Sequence, residues 1–231
     1  MKGLSRLELR YRRFAISNLT LYIAALNLAV FLLTYVIFEG NPARTVQALA
    51  LIPSEVFKGQ VWRLITFILL PNNFSVFWIL FSVYLTYMLG ASLENYWGTF
   101  RLNLYFFTGM LGSIIAAFIT GGGVTGYYLN LSLFLAFATL FPDREFTLFF
   151  MFPIKVKYLG ILDAIYLLYM LLVYIGARAW VYAAAIIVSL INYFLFFGDD
   201  FIKMIKLKRQ VAKNRKRFFD QVRPYDQDRR D

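Results

Sequence analysis

The sequence predicts an all-α, polytopic membrane protein of six transmembrane helices, and three observations carry that prediction. Of 231 residues, 60% are apolar and only 16% are charged, against about 45–50% and about 25% in a soluble domain. Six apolar segments follow one another at about 18–38, 73–93, 101–120, 125–142, 158–176 and 179–198, each near the roughly 20 residues a helix needs to cross a bilayer. Both ends of the chain are basic. Positive charge stays on the cytoplasmic side, so two basic ends require an even number of crossings.

The first element is a basic segment, residues 1–17, with Lys2, Arg6, Arg10, Arg12 and Arg13. The apolar run Leu19 to Phe38 follows. It is long, and Glu39-Gly40-Asn41-Pro42 after it is not a small-residue cleavage site, so it reads as a span and not as a cleaved signal. The first loop, 39–72, is punctuated by Pro42, Pro53 and Pro71 and is too apolar for a plain linker. Its stretches Val46–Ile52 and Val61–Ile68 have the composition of segments that lie in the membrane interface.

Gly121-Gly122-Gly123-Val124-Thr125-Gly126 reads as the turn between the third and fourth spans. It is not a phosphate loop, because no Gly-Lys-Ser/Thr ending follows it. The aromatic run Phe146 to Phe152, closed by Lys155 and Lys157, reads as a segment at the membrane face anchored by its lysines. Membrane residues thus occupy 18–198 and a basic tail 199–231. Between 201 and 231 the tail holds eleven Lys or Arg against four Asp, a net +7. Charge at a membrane-helix end serves as an orientation anchor that also meets anionic lipid. No nucleic-acid fold is recognisable there, and no nucleic-acid partner is expected.

The short loops obey the same charge rule. Arg101, Arg144, Lys155 and Lys157 fall inside and the uncharged Gly121–Gly126 turn falls outside. Arg44, Lys58 and Arg63 in the outer loop are exceptions, partly offset by Glu39 and Glu55. There is no cysteine and no histidine, hence no disulfide and no conventional zinc site, and no cofactor is expected.

Trp62-Arg63 in the first loop and the run Gly90-Ala91-Ser92-Leu93-Glu94-Asn95-Tyr96-Trp97-Gly98 ending the second span carry a resemblance. Together they resemble the tryptophan–arginine pair and the G-xxx-E-xxx-G run of the rhomboid family of intramembrane serine proteases. The resemblance extends over roughly Gly59 to Asn192 and implies a rhomboid-like six-helix bundle. In that family a serine in a G-x-S-G run early in helix four is activated by a histidine on helix six. The matching place here is Asn130-Leu131-Ser132-Leu133, so Ser132 is the one nucleophile candidate, with Leu133 filling the space a glycine would leave.

The helix-six pattern A-H-xx-G-xxx-G, with Ala185 and Ser189 as the small pair, puts Tyr182 at the histidine position. A phenol, ordinarily near pKa 10, is a poor base at neutral pH. The family's oxyanion donors fall at Trp78 and Ser82. Base, glycines and oxyanion donors depart together, so the resemblance points to the inactive, derlin-like branch, whose members bind or escort membrane proteins.

Trp62, Arg63, Gly90, Glu94 and Gly98 are then structural: an interfacial anchor, a loop-locking donor, and a carboxylate that must find partners between two glycines that permit close approach or a turn. Glu94 is expected to accept from loop amides, Asn95 or an arginine. Asp163, just inside helix five, is expected to pair with Lys155 or Lys157. Asn27, Asn103 and Asn192 are expected to bond between helices, and Ser132 itself fits a packing role. Two alternatives stand beside the scaffold reading: a divergent rhomboid-family endopeptidase using Ser132, and a small transporter or channel component built on Glu94, Asp163 and the asparagines. The second lacks the internal repeat that transporters usually carry. The partners expected are the lipid bilayer and transmembrane segments of client proteins.

The topology is tested by cysteine-accessibility labelling on this cysteine-free background. A cysteine at Gly122 should react from outside, and cysteines at Ser5 or Gln227 only from inside. A reversed pair would refute the assignment.

Overall fold

The computed structural model describes residues 13, 15–148 and 152–227; Lys2, Arg6, Arg10 and Arg12 lie outside them. The chain divides into two compact units, 1–193 and 194–231. In order, the elements are α1 (Leu19–Val36), α2 (Pro42–Leu49), α3 (Pro53–Phe57), α4 (Arg63–Thr66), a 3-10 turn (Phe67–Leu69), α5 (Val76–Trp97), α6 (Thr99–Thr120), α7 (Tyr127–Leu140), β1 (Glu145–Leu148), β2 (Phe152–Lys155), α8 (Val156–Gly176) and α9 (Trp180–Gln227). Among the described residues five helices are long and apolar enough to cross a bilayer: α1, α5, α6, α8 and Trp180–Gly198 of α9. The molecule is a multi-pass membrane protein. The fourth apolar segment forms a shorter helix of 14 residues, about 21 Å at 1.5 Å per residue.

That shortness has a packing reason. Tyr128, Leu129, Ser132, Leu133, Ala136, Phe137 and Ala138 of α7 are all buried, and α7 packs on α5, α6 and α8. A helix enclosed by other helices need not match the hydrocarbon thickness as a lipid-facing one must. Its two ends are nonetheless held at opposite ends of the bundle. At one end the Gly126 amide donates to the Phe67 carbonyl (2.9 Å), and Leu51 and Val124 exchange backbone bonds of 3.0 and 2.9 Å. At the other, Arg144 donates to Ser92 (3.2 Å) on the last turns of α5.

The first loop is mostly helical. Asn41 caps α2 by accepting from the amides of Ala43 and Arg44, with Pro42 at the first helical position. Leu51 and Phe67 enter the main core with Val124, Tyr128, Leu167, Ala185 and Ile186. Phe57, Val61, Trp62 and Ile65 remain exposed. The loop therefore has one face in the protein core and a second, apolar face turned outward.

The expectation of an all-α chain is corrected at 145–155, where β1 and β2 pair antiparallel as a hairpin with Glu145 opposite Lys155 and Phe146 opposite Ile154. Aromatic and β-branched side chains favour a pleated pair, opposite charges face across it, and Phe146 stacks on Phe137 of α7 at 5.8 Å between ring centroids.

The joint between α5 and α6 is one residue. Gly98 is at once the C-cap of α5 and the N-cap of α6, at φ +82° and ψ 157°. That conformation is essentially closed to residues with a Cβ and costs about 1–3 kcal/mol when forced. Gly98→Ala should lower the detergent melting temperature by about 2–10 °C, at roughly 2–4 °C per kcal/mol for a chain of this size. Gly176→Ala, where a Cβ meets nothing within 4 Å and φ is not positive, should not lower it. Equal behaviour of the two variants would refute the role given to Gly98.

Candidate functional site

The G-xxx-E-xxx-G run resolves into three separate tasks. A Cβ on Gly90 would overlap the Thr20 side chain of α1, so α1 and α5 cross at contact there. Both oxygens of Glu94 accept from the Asn18 amide, each at 3.1 Å, and Oε1 also accepts from the Thr99 hydroxyl at 2.8 Å. Asn18 sits in the left-handed region at φ 56° and precedes α1, so the carboxylate occupies the amide-rich amino end of that helix. Gly98 then turns the chain. The expected acceptance from a loop amide is present; Thr99 takes the place foreseen for Asn95 or an arginine. Asn18, Ala91, Glu94, Asn95, Gly98, Thr99 and Phe100 line a recess of about 320 Å³.

Asn103 completes this end of the bundle. Its amide accepts from the Ile16 nitrogen and donates to the Ile16 carbonyl, both at 2.9 Å, tying the segment before α1 onto α6.

Arg63 does for the first loop what Glu94 does for the helices. It is 4% exposed; Nη1 donates to the carbonyls of Gln47 (2.7 Å) and Ala50 (2.8 Å), and Nε to Gln60 (2.8 Å). Gln60 in turn donates to Glu55 (3.0 Å), which also accepts from Lys58 (2.7 Å). The Lys58 bond holds the Glu55 carboxyl below its ordinary pKa. Trp62 stays half exposed beside this network.

Ser132 is wholly buried, 0% exposed. Its hydroxyl accepts from the Tyr105 phenol at 2.9 Å and donates to the Leu129 carbonyl, one turn back on its own helix, at 2.8 Å. Leu133 is buried beside it.

The other residues aligned to a catalytic apparatus lie elsewhere. Tyr182 is exposed and packs its ring on Tyr174 at 5.0 Å, so the register that pointed it at Ser132 is corrected: Ala183, Ala185, Ile186 and Ser189 form the buried side of α9 instead. Ser82 donates to the Ile79 carbonyl of its own helix, and Trp78 is exposed with edge contacts to Phe77 and Phe81. No sequence pattern marked Tyr105 as the partner of Ser132. The usable signal was general: a tyrosine deep in an apolar span must find a partner for its hydroxyl.

Of the asparagines, Asn192 does bond between helices, accepting from Thr108 (2.7 Å) and donating to the Tyr105 carbonyl (3.1 Å). Asn27 instead donates back to Ile23 on its own helix. Asp163 does not pair with the basic residues foreseen for it. Lys157 pairs with Asp143 at 3.7 Å, Lys155 stands opposite Glu145 in the hairpin, and Asp163 Oδ2 is buried without a hydrogen-bond partner among the described residues.

No family model and no curated protein matches the chain.

Arg63→Ala strands two buried carbonyls, at about 1–3 kcal/mol for each unsatisfied group, and Glu94→Ala frees the Asn18 amide. Each should lower the detergent melting temperature by several degrees, while Arg44→Ala, which breaks only the exposed pair with Glu39, should change it little. Unchanged melting for both Arg63→Ala and Glu94→Ala would show that neither holds the fold.

Proposed function

We propose that the chain is a rhomboid-like integral membrane protein without proteolytic activity, which binds or escorts transmembrane segments of client proteins in the cell membrane. The observation that carries the non-proteolytic part is the state of Ser132. Its hydroxyl is sealed from solvent and engaged with Tyr105 and the Leu129 carbonyl. Peptide hydrolysis by a serine needs a base in hydrogen-bond reach, oxyanion donors and water. The chain has no histidine, and neither Ser82 nor Trp78 is hydrogen-bonded to Ser132. This arrangement weighs against the divergent endopeptidase.

The scaffold reading draws support from residues with no catalytic task. Gly90, Glu94, Gly98 and Arg63 each hold a crossing, a cap, a turn or a loop, which is what a retained architectural motif does. A place for a client comes from the spans that are least enclosed. The apolar windows of α5 and α8 are only 22% and 17% buried, the smallest shares among the five long spans. The main packing of α5 is on α1, α6 and α7, and that of α8 on α7 and β2, leaving the edge between α5 and α8 as the lateral opening of the proposal. Lipid-facing helices with little protein against them are the ones a second helix can pack on.

Six crossings with both ends cytoplasmic also fit the geometry, since α7 runs from the Phe67 end of the bundle to the Ser92 end. The three basic residues that disturbed the charge rule are each engaged: Arg44 with Glu39, Lys58 with Glu55, and Arg63 with backbone carbonyls. The outward apolar face of the first loop, Phe57, Val61, Trp62 and Ile65, suits the membrane interface.

The full chain reconstituted in liposomes should bind a transmembrane peptide without cutting it, and Ser132→Ala should bind equally well. General acid–base help is worth about 10²–10⁴-fold and oxyanion donors about 10²–10³-fold, so turnover should sit at background. Cleavage that disappears in Ser132→Ala would overturn the proposal in favour of a protease.

A further inference from the structure

One face of α8 is turned into the protein. Val156, Gly160, Asp163 and Leu167 are its buried residues, spaced four, three and four apart on a single helical stripe. Gly160 sets the approach: a Cβ there would overlap the Cβ of Ala138, so α8 lies directly against α7. Asp163 is the next position on the stripe, about 10 Å along the axis from Val156. The opposite face, with Ile161, Leu162 and Ile165, is exposed.

Asp163 is 8% exposed, and its Oδ2 has no hydrogen-bond partner among the described residues. The donors around it are committed elsewhere. The two phenols in electrostatic reach, Tyr105 and Tyr127, donate to Ser132 and Tyr166. Buried polar groups are nearly always satisfied, and a carboxyl at membrane depth costs several kcal/mol unless something pairs with it. Leucine at 163 would avoid that cost. A carboxyl kept there with an open oxygen has the character of half of a pair.

We propose that Asp163 is the acceptor for a hydrogen-bond-donating side chain, amide or ammonium, carried at matching depth by a transmembrane helix of another protein. This rests on the client-binding reading and names the client's chemical class: helices with one polar donor in an otherwise apolar span. Metal chemistry is a poor fit, because no group of three or more acidic side chains assembles among the described residues and hard cations need about six oxygens. A helix arriving from the bilayer fits better, because the residue sits on the inward stripe of the least buried long span.

Three leucine-rich peptides of one length test this against the full chain in nanodiscs. One is all leucine, one carries asparagine at the depth of Asp163, and one carries it at the mirror-image depth. Interhelical hydrogen bonds in membranes are worth roughly tenfold in affinity. The matched asparagine peptide should therefore bind about tenfold tighter than the other two. Asp163→Leu should erase the preference while holding the all-leucine peptide as before, and should melt no lower than the parent. Asp163→Asn, which keeps an acceptor, should retain part of the preference.

Equal binding of the three peptides by the parent, or a preference that survives Asp163→Leu, would overturn the role of Asp163 and leave the client-binding reading standing. Binding of none of the three would sink both. A lower melting temperature for Asp163→Leu and Asp163→Asn alike would show that the carboxyl serves the fold, which also overturns the proposal.

Discussion

A carboxylate at the end of a membrane span has to be neutralised by something, and in this protein the partners of Glu94 decide where three segments meet. The side chain leaves the last turn of α5, takes the amide of Asn18 where α1 begins, and takes the hydroxyl of Thr99 where α6 begins. One turn before it, Gly90 brings α1 to contact through Thr20; one turn after it, Gly98 reverses the chain. Each contribution needs the others. The close crossing places the Asn18 amide within reach, the turn places Thr99, and the carboxylate lowers the cost of the exposed helix end. Arg63 repeats the logic at the far side of the bundle, spending its charge on carbonyls that the first loop leaves open.

Much of this was legible in the amino acids because it depends on charge and on glycine. Glu94 and Arg63 stood out as ionised groups beside apolar runs, and such groups must be paired whatever the tertiary detail. The partners were less legible. Thr20, Asn18 and Thr99 are ordinary residues at ordinary positions, and only the crossing of α1 and α5 gives them a task. The hairpin at 145–155 escaped because a short aromatic run between lysines fits an interfacial segment as well as a strand pair; what distinguishes them is the facing of Glu145 and Lys155, a property of register. Tyr182 was placed against Ser132 by alignment to a pattern whose key residue is absent, and the buried side of α9 runs through Ala185, Ile186 and Ser189 instead. The partners of Asp163 were misjudged for a related reason. Lys155 and Lys157 are near in sequence, but Glu145 and Asp143 compete for them from across the hairpin.

Ser132 and Asp163 present opposite solutions to a polar atom inside a membrane protein. The serine is small, and its hydroxyl can donate backward to Leu129 while accepting from Tyr105, so it is satisfied entirely from within. The carboxylate accepts only and cannot complete itself from its own helix. A saturated hydroxyl contributes packing and offers little to an incoming molecule, whereas an unsaturated carboxylate stores an unmade bond. Whatever this protein does by binding, chemistry available to a partner is richer at the second position than at the first.

The one-residue joint at Gly98 bears on how the chain enters the bilayer during synthesis. The apolar windows of α5 and α6 are separated by no hydrophilic linker that could wait in water while one helix is already embedded. With Gly98 in place the pair can fold back as a hairpin with its polar end, Glu94 and Thr99, at the bend. The two helices then partition as one apolar unit, and the energy of burying both is available in a single step. A side chain at 98 would oppose that bend before any other contact of the bundle exists, so its effect should fall on the yield of inserted protein as well as on the stability of what has been inserted.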